Sequence, residues 1–167
     1  LFAEVGPGVS QSGGSVGNTI AHLAETEVAG TYLGKVAGDD LGDRFARDMA
    51  DLGIGFPVAR AEAPGTGHCV VLVTPDGERT MSTYLGAAVT ISPADIEVMP
   101  TADYLFIEGY LFDAPRGPET VFAAAARAKS MGAKIALTPS DAGCVARNRA
   151  DMARLIEGEL DILIGNH

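Results

Sequence analysis

Two apolar periodicities alternate along this chain. Leu41, Phe45, Met49 and Leu52 recur at three- and four-residue intervals, which predicts one face of an amphipathic helix after Gly38-Asp-Asp40, closed by Gly53 just past its last turn. An earlier helix is expected from Ser15, read as its N-cap, to about Glu25, and Val28 to Gly34 reads as a short strand. Apolar runs follow at Phe56 to Ala59, Cys69 to Thr74 and Arg79 to Leu85, and Pro75-Asp76-Gly77 between the last two is hairpin-turn chemistry. Alternation then places Met81, Thr83 and Leu85 on one face of the second hairpin strand and Thr80, Ser82 and Tyr84 on the other. From Ser92-Pro93 onward the pattern predicts a short helix, a strand at Tyr104 to Ile107, and an Ala-rich helix opened by Pro118 and closed at Gly132. A strand at Ile135 to Leu137, a helix from about Asn148 to Glu157 and a strand at Ile162 to Ile164 complete the series. Strands alternating with helices predict an α/β fold of right-handed βαβ units around a parallel sheet, with the β-rich segment as an excursion from it.

Composition narrows this picture. At 167 residues and 47% hydrophobic content the chain can bury a core without disulfides or metals. Its net charge of −10, spread without a long block of one sign, speaks against nucleic acid or an anionic membrane as partner. The longest apolar stretches, such as Cys69 to Val73 and Val121 to Ala126, fall far short of the ~20 residues that span a bilayer. With no secretory signal pattern, a soluble cytoplasmic protein is expected. Cys69 and Cys144 are far apart, without clustered His, and are expected as core thiols. The chain begins on Leu1 and stops at His167, directly after an apolar strand-like run, where a natural domain seldom ends.

The chemistry concentrates in Gly13-Gly14-Ser15-Val16-Gly17-Asn18. A glycine pair reaches backbone angles closed to other residues and lets a ligand approach the main chain, and the helix that follows presents free N–H groups. Asn18, near the helix start, carries one donor and one acceptor group for a pair of vicinal hydroxyls. On spacing alone, an ordinary glycine-rich helix start with Asn18 bonding locally is the commoner outcome. The segment lacks the Gly-x-Gly-x-x-Gly spacing of a dinucleotide site and the lysine of a phosphate-binding P-loop. Elsewhere, His22 and His68 have no partners at metal or triad spacing and read as structural, and Asp39-Asp40 reads as a helix cap. Ser140-Asp141 stands at a strand's C-terminal end, where a ligand site and a plain strand-to-helix turn are equal readings. Tyr110 and Phe112 could stack on a base, although packing is the commoner use of such residues.

Four segments, in this order, give the whole chain a resemblance to the pfkB-type carbohydrate kinases, the ribokinase-like family, and most closely to its adenosine-kinase-like members. They are Gly13-Gly-Ser-Val-Gly-Asn18, Gly34-Lys-Val-Ala-Gly-Asp-Asp-Leu-Gly42, the stretch Thr66-Gly-His-Cys69 through Gly77-Glu-Arg-Thr80, and Asp161-Ile-Leu-Ile-Gly-Asn166. The resemblance implies a ribokinase-like parallel sheet flanked by helices, with a small β-sheet lid of strands at about 1–11, 55–60 and 68–85. It implies that Gly13 and Gly14 form a hinge between body and lid, that Asn18 contacts sugar hydroxyls, and that Met81, Thr83 and Leu85 lie on the lid strand closing over the substrate. Ser15 follows the adenosine-kinase-like pattern, where ribokinase-like relatives place Lys, which tilts the substrate toward a nucleoside. Asn166 matches the first residue of an Asn-x-x-Glu motif that organises magnesium and phosphate oxygens.

The family's remaining machinery is expected outside these residues. Its first strand, with a substrate-binding Asp, would precede Leu1, and the Glu of the Asn-x-x-Glu motif and the Gly-Ala-Gly-Asp segment with the catalytic Asp would follow His167. Glu25-Thr-Glu27 departs from the family's usual Gly turn. The implied activity is transfer of the ATP γ-phosphoryl group, with Mg2+, to a hydroxyl of a nucleoside or ribose-type sugar, and this chain alone would be inactive. Two other classes fit the same residues: a non-catalytic nucleoside- or sugar-binding regulatory protein, and a scaffold forming a homodimer through the lid.

Overall fold

The computed structural model describes residues 8–166. Helix α1 (Ser15–Ala24) and helix α2 (Asp40–Asp51) come first, followed by the antiparallel hairpin of β1 (His68–Val73) and β2 (Arg79–Tyr84). Short 3-10 turns over Gly86–Thr90 and Pro93–Ile96 lead into β3 (Tyr104–Glu108), α3 (Gly117–Ser130), β4 (Lys134–Thr138), α4 (Ala142–Gly158) and β5 (Ile162–Leu163). β3, β4 and β5 lie side by side in sequence order as a parallel sheet, with Leu105 opposite Ile135 and Ala136 opposite Ile162.

Caps fix most helix ends. Asp39 accepts from Gly42 N at 2.9 Å to start α2, and Asp141 accepts from Cys144 N at 2.8 Å to start α4. Ser92 and Asp95 form a reciprocal capping box around Pro93, and Asp95 also takes the half-buried ammonium of Lys35 at 2.7 Å. The main core lies between the sheet and its helices, where Val121, Ala125, Ile135, Leu137, Cys144 and Leu155 are fully buried. A separate aromatic group joins the first half of the chain. Tyr32, Phe45 and Phe56 meet with ring centroids 5.4 to 5.6 Å apart, and burial of Tyr32, with Glu108 nearby, pushes its phenol up to about 12.

Several expectations shift. Gly14, not Ser15, occupies the N-cap of α1, because the chain turns there at a φ of 95° that a glycine tolerates. Residues 28–34 form no regular strand; Thr31 bridges Gly55 in parallel, and its neighbours bond across the same pair at 2.7 and 3.0 Å. Residues 55–60, expected as a lid strand, lie outside the hairpin sheet and are held at Gly55 and, one residue beyond, by an Ala61–Ala37 bridge. Of the expected lid segment 1–11, residues 1–7 fall outside the described residues, and 8–11 carry no strand. α4 starts six residues before Asn148, which instead marks a kink inside it. Cys144 is buried as expected, but Cys69 is exposed, because no layer of the described residues covers the hairpin.

Candidate functional site

The glycine segment opens α1 without any side-chain cap. The first backbone N–H groups of the helix therefore have no intrahelical acceptor and point out of its start, where the helix dipole favours oxygen ligands and negative charge. Asn18 N donates to Gly14 O at 2.8 Å as the first helical bond. Ser15 and Asn18, three residues apart, share one exposed face, and the Asn18 side chain has no hydrogen-bond partner among the described residues. The Gly13 and Gly14 positions stand in open space. The segment is anchored from behind: Ser12 donates to Asp48 of α2, and at buried Gly17 an added Cβ would stand 3.7 Å from the Phe45 ring.

α2 also roots the hairpin. Asp39 accepts from Thr66 N at 2.8 Å and from Thr66 Oγ1 at 2.6 Å, while Thr66 Oγ1 accepts from Ala37 N at 2.9 Å. These bonds, the Thr66 hydroxyl first, hold the Asp39 carboxyl down at about 2. Gly42 lies so close to Ala37 that a Cβ would stand 2.1 Å from its carbonyl oxygen, so this crossing admits no side chain. One helix thus ties the glycine segment at its Asp48 side and the hairpin at its capped start. The sequence marked Asp39 as a cap, but the second role appears only with Thr66 27 residues away.

The hairpin pairs Val71 with Met81 and Cys69 with Thr83, whose hydroxyl donates to the Cys69 sulfur at 3.2 Å. Met81 and Thr83 share one face as the alternation predicts. Leu85 follows the end of β2 and begins the next turn, outside the paired strand. His68 packs on Tyr84 at the root, with ring centroids 5.2 Å apart.

At the C-terminal edge of the parallel sheet, Asn166 follows β5, exposed. Phe112 is buried in the core, while Tyr110 is 44% exposed and donates from its hydroxyl to Asp141. Asp113, paired with Arg147 at 2.6 Å and with Asn148, is lowered first by the arginine bond. The residues singled out in the sequence thus fall into three places: the start of α1, the hairpin, and the sheet edge. Among the described residues no group of three acidic, His or Cys side chains could hold a metal ion. No helix described is long and apolar enough to cross a membrane.

An open parallel α/β sheet, a protruding hairpin and a glycine-opened helix start define an α/β protein of the ribokinase-like kind. The chain belongs to the pfkB family of carbohydrate kinases, which it matches over residues 4–167. It is similar to the adenosine kinase from Sinorhizobium meliloti at 39% identity, covering 97% of this chain and 51% of that one with a TM-score of 0.88. It is similar to a probable sugar kinase from Rhizobium etli at 38% identity, covering 97% and 50% with the same TM-score of 0.88. The Schistosoma mansoni adenosine kinase in complex with 2-fluoroadenosine, at 24% identity, 90% and 45% coverage and a TM-score of 0.78, shares the fold. The chain spans about half the length of these relatives. Comparison with the curated proteins finds no match.

Proposed function

We propose that this chain forms the acceptor-binding part of a cytoplasmic, ATP-dependent kinase that phosphorylates a hydroxyl of a nucleoside or ribose-type sugar. The observation that carries this reading is the start of α1, where Gly14 turns the chain at a φ of 95° and leaves backbone N–H groups and the Asn18 amide facing open space. Asn18 would hold vicinal hydroxyls through one donated and one accepted bond, and Gly13, Gly14 and Ser15 would lie along the sugar. The adenosine kinase and the probable sugar kinase are similar to this chain to the same degree, so the tilt toward a nucleoside rests on Ser15. Met81, Thr83 and Leu85 would cover the acceptor when the hairpin closes, excluding the water that competes for the phosphoryl group. The exposed apolar residues on both hairpin faces are also compatible with a homodimer.

ATP and Mg2+ belong to this reading, with Asn166 on the nucleotide side. When bound, they supply the phosphoryl group and neutralise its charge. No residue of this chain is assigned as the base that accepts the hydroxyl proton, since the sequence contains no Gly-x-Gly-Asp segment. Calorimetric titration with adenosine, ribose and fructose tests the acceptor site. Asn18→Ala should weaken binding by about 1–3 kcal/mol, and equal affinities would remove Asn18 from the site. ADP release with magnesium-ATP should be absent from the 167-residue chain alone, with an intact adenosine kinase as the positive control. Turnover by the chain would overturn the division of labour proposed here.

A further inference from the structure

The five methionines of the chain divide sharply by exposure. Met49, Met99 and Met152 are 2%, 6% and 3% exposed, and Met131 is half-buried against the main core. Met81, on β2, is 64% exposed. It stands opposite Val71 and shares its face of the hairpin with the Cys69–Thr83 pair, whose hydrogen bond crosses that same face. No third strand or helix among the described residues lies over it.

A thioether has no proton to lose, so its oxidation requires only that an oxidant reach the sulfur, whereas a thiol must ionise first. Hydrogen peroxide reaches Met81 directly from solvent. At Met49, Met99 and Met152 it must wait for the core to open. The step transfers one oxygen atom: the sulfur gives up an electron pair to form the S–O bond as the peroxide O–O bond breaks. The departing hydroxide takes the proton from the transferred oxygen and leaves as water, so peroxide is reduced and the thioether becomes a sulfoxide. The product is a polar group with a strong acceptor oxygen on a face otherwise furnished with apolar side chains such as Val71 and Val73. While the hairpin stands open, that oxygen keeps its water. Once an acceptor is covered, the oxygen loses it, and nothing on the hairpin face supplies a donor in exchange, since the Thr83 proton is already given to Cys69. Oxidation therefore favours the open hairpin over the closed one.

We infer that Met81 is a modification site of this protein, oxidised by hydroperoxides ahead of the other methionines, and that its sulfoxide weakens acceptor binding by opposing closure of the hairpin. The first half stands on exposure and chemistry alone. The second rests on the kinase reading above. Because Met81 is solvated in the folded chain and in the unfolded chain alike, the modification leaves the fold intact and is felt only on closure. A methionine sulfoxide reductase reverses it.

The test uses the Cys69→Ser protein, so that no thiol on the same face contributes. It is treated with hydrogen peroxide, digested and read by peptide mass spectrometry, and titrated calorimetrically with adenosine before and after treatment. One oxygen should appear on Met81 before any appears on Met49, Met99 or Met152, and the urea midpoint should not move. Adenosine binding should weaken by roughly tenfold, the scale of one polar group buried without a partner, and a sulfoxide reductase should restore it. Met81→Leu in the same background, whatever its own starting affinity, should lose the response to peroxide. Oxidation of a buried methionine first, or at the same rate as Met81, would overturn the modification site. Equal adenosine affinity before and after oxidation of Met81, or a peroxide response that survives in Met81→Leu, would overturn its effect on closure while leaving the kinase reading intact. Absence of saturable adenosine and ribose binding by the untreated protein would overturn the kinase reading and the closure effect with it, and the order of oxidation would still decide the site.

Discussion

Ile135, Leu137, Val121 and Leu155 are sealed from solvent in the β3–β5 body, whereas Val73 and Met81 of the hairpin are each 64% exposed. Residue type does not explain the contrast, since β1 (Cys-Val-Val-Leu-Val after His68) is at least as apolar as β4. Layers do. β4 has a strand on each side, and α3 and α4 contribute to the same core; β1 has one partner and no described layer over it. A two-stranded hairpin is marginal by itself, so its persistence falls to its root, where Asp39, Thr66 and the Gly65 carbonyl, which accepts from Ala87 N at 2.8 Å, fasten it. Apolar surface in the body serves stability. In the hairpin it is left uncovered among the described residues.

The sharpest way to break this contrast is paired truncation. Ile135→Ala should cost about 3–4 kcal/mol in urea denaturation, whereas Val71→Ala should stay within about 0.5 kcal/mol. Equal costs would mean that the hairpin is covered. Next in size is the root: Thr66→Val removes the hydroxyl that serves Ala37 N, a buried bond worth about 1–2 kcal/mol, and should raise hydrogen exchange in β1 more than in β4. A pH titration sharpens the same point. The Asp39 carboxyl is lowered in the folded chain, so its contribution is present above the unfolded carboxylate value near 4 and is lost as the pH falls through about 2. Nuclear magnetic resonance should show the Thr66 and Gly42 amides moving with a midpoint near that folded value. A midpoint near 4 would deny the carboxylate its role in the root. The smallest effect is ligand protection: adenosine should slow amide exchange in the hairpin more than in Tyr104–Glu108, and equal slowing would argue against a closing lid.

Much of this was legible before any coordinates, because local chemistry fixes turns and caps. Pro75-Asp76-Gly77 makes the hairpin turn with Gly77 at a φ of 86°, Gly53 and Gly132 take positive φ just past their helices, and Ser92 boxes with Asp95. What was missed is non-local. The stretch 28–34 reads as a strand from composition, yet its regularity depends on neighbours distant in sequence, and only the Thr31–Gly55 bridge forms. The sequence pattern predicts a helix from about Asn148; the cap at Asp141 begins it earlier, and bonds from Asn148 to Asp113 and to the Cys144 carbonyl coincide with the kink. For the site, the glycine pair and Asn18 could be picked out through the resemblance to the pfkB-type kinases, not through spacing alone. The Asp39–Thr66 root and the Tyr110–Asp141 tie were not, since each joins residues about thirty positions apart.

The order of the parallel sheet has a consequence for how the chain is made. β3, β4 and β5 neighbour one another in the order they leave the ribosome, each separated from the last by one helix. A strand emerging from the tunnel finds its pairing edge already built and waits for no segment still to be synthesised. The body can therefore assemble as a growing front, at the pace of translation, and its short sequence separations keep the entropy of each closure small. Until a further element docks, the newest strand is always the open edge. At β5 that edge is apolar, with Ile162, Leu163 and Ile164 all exposed, so during synthesis this is where a chaperone or a neighbouring nascent chain would find its first hold.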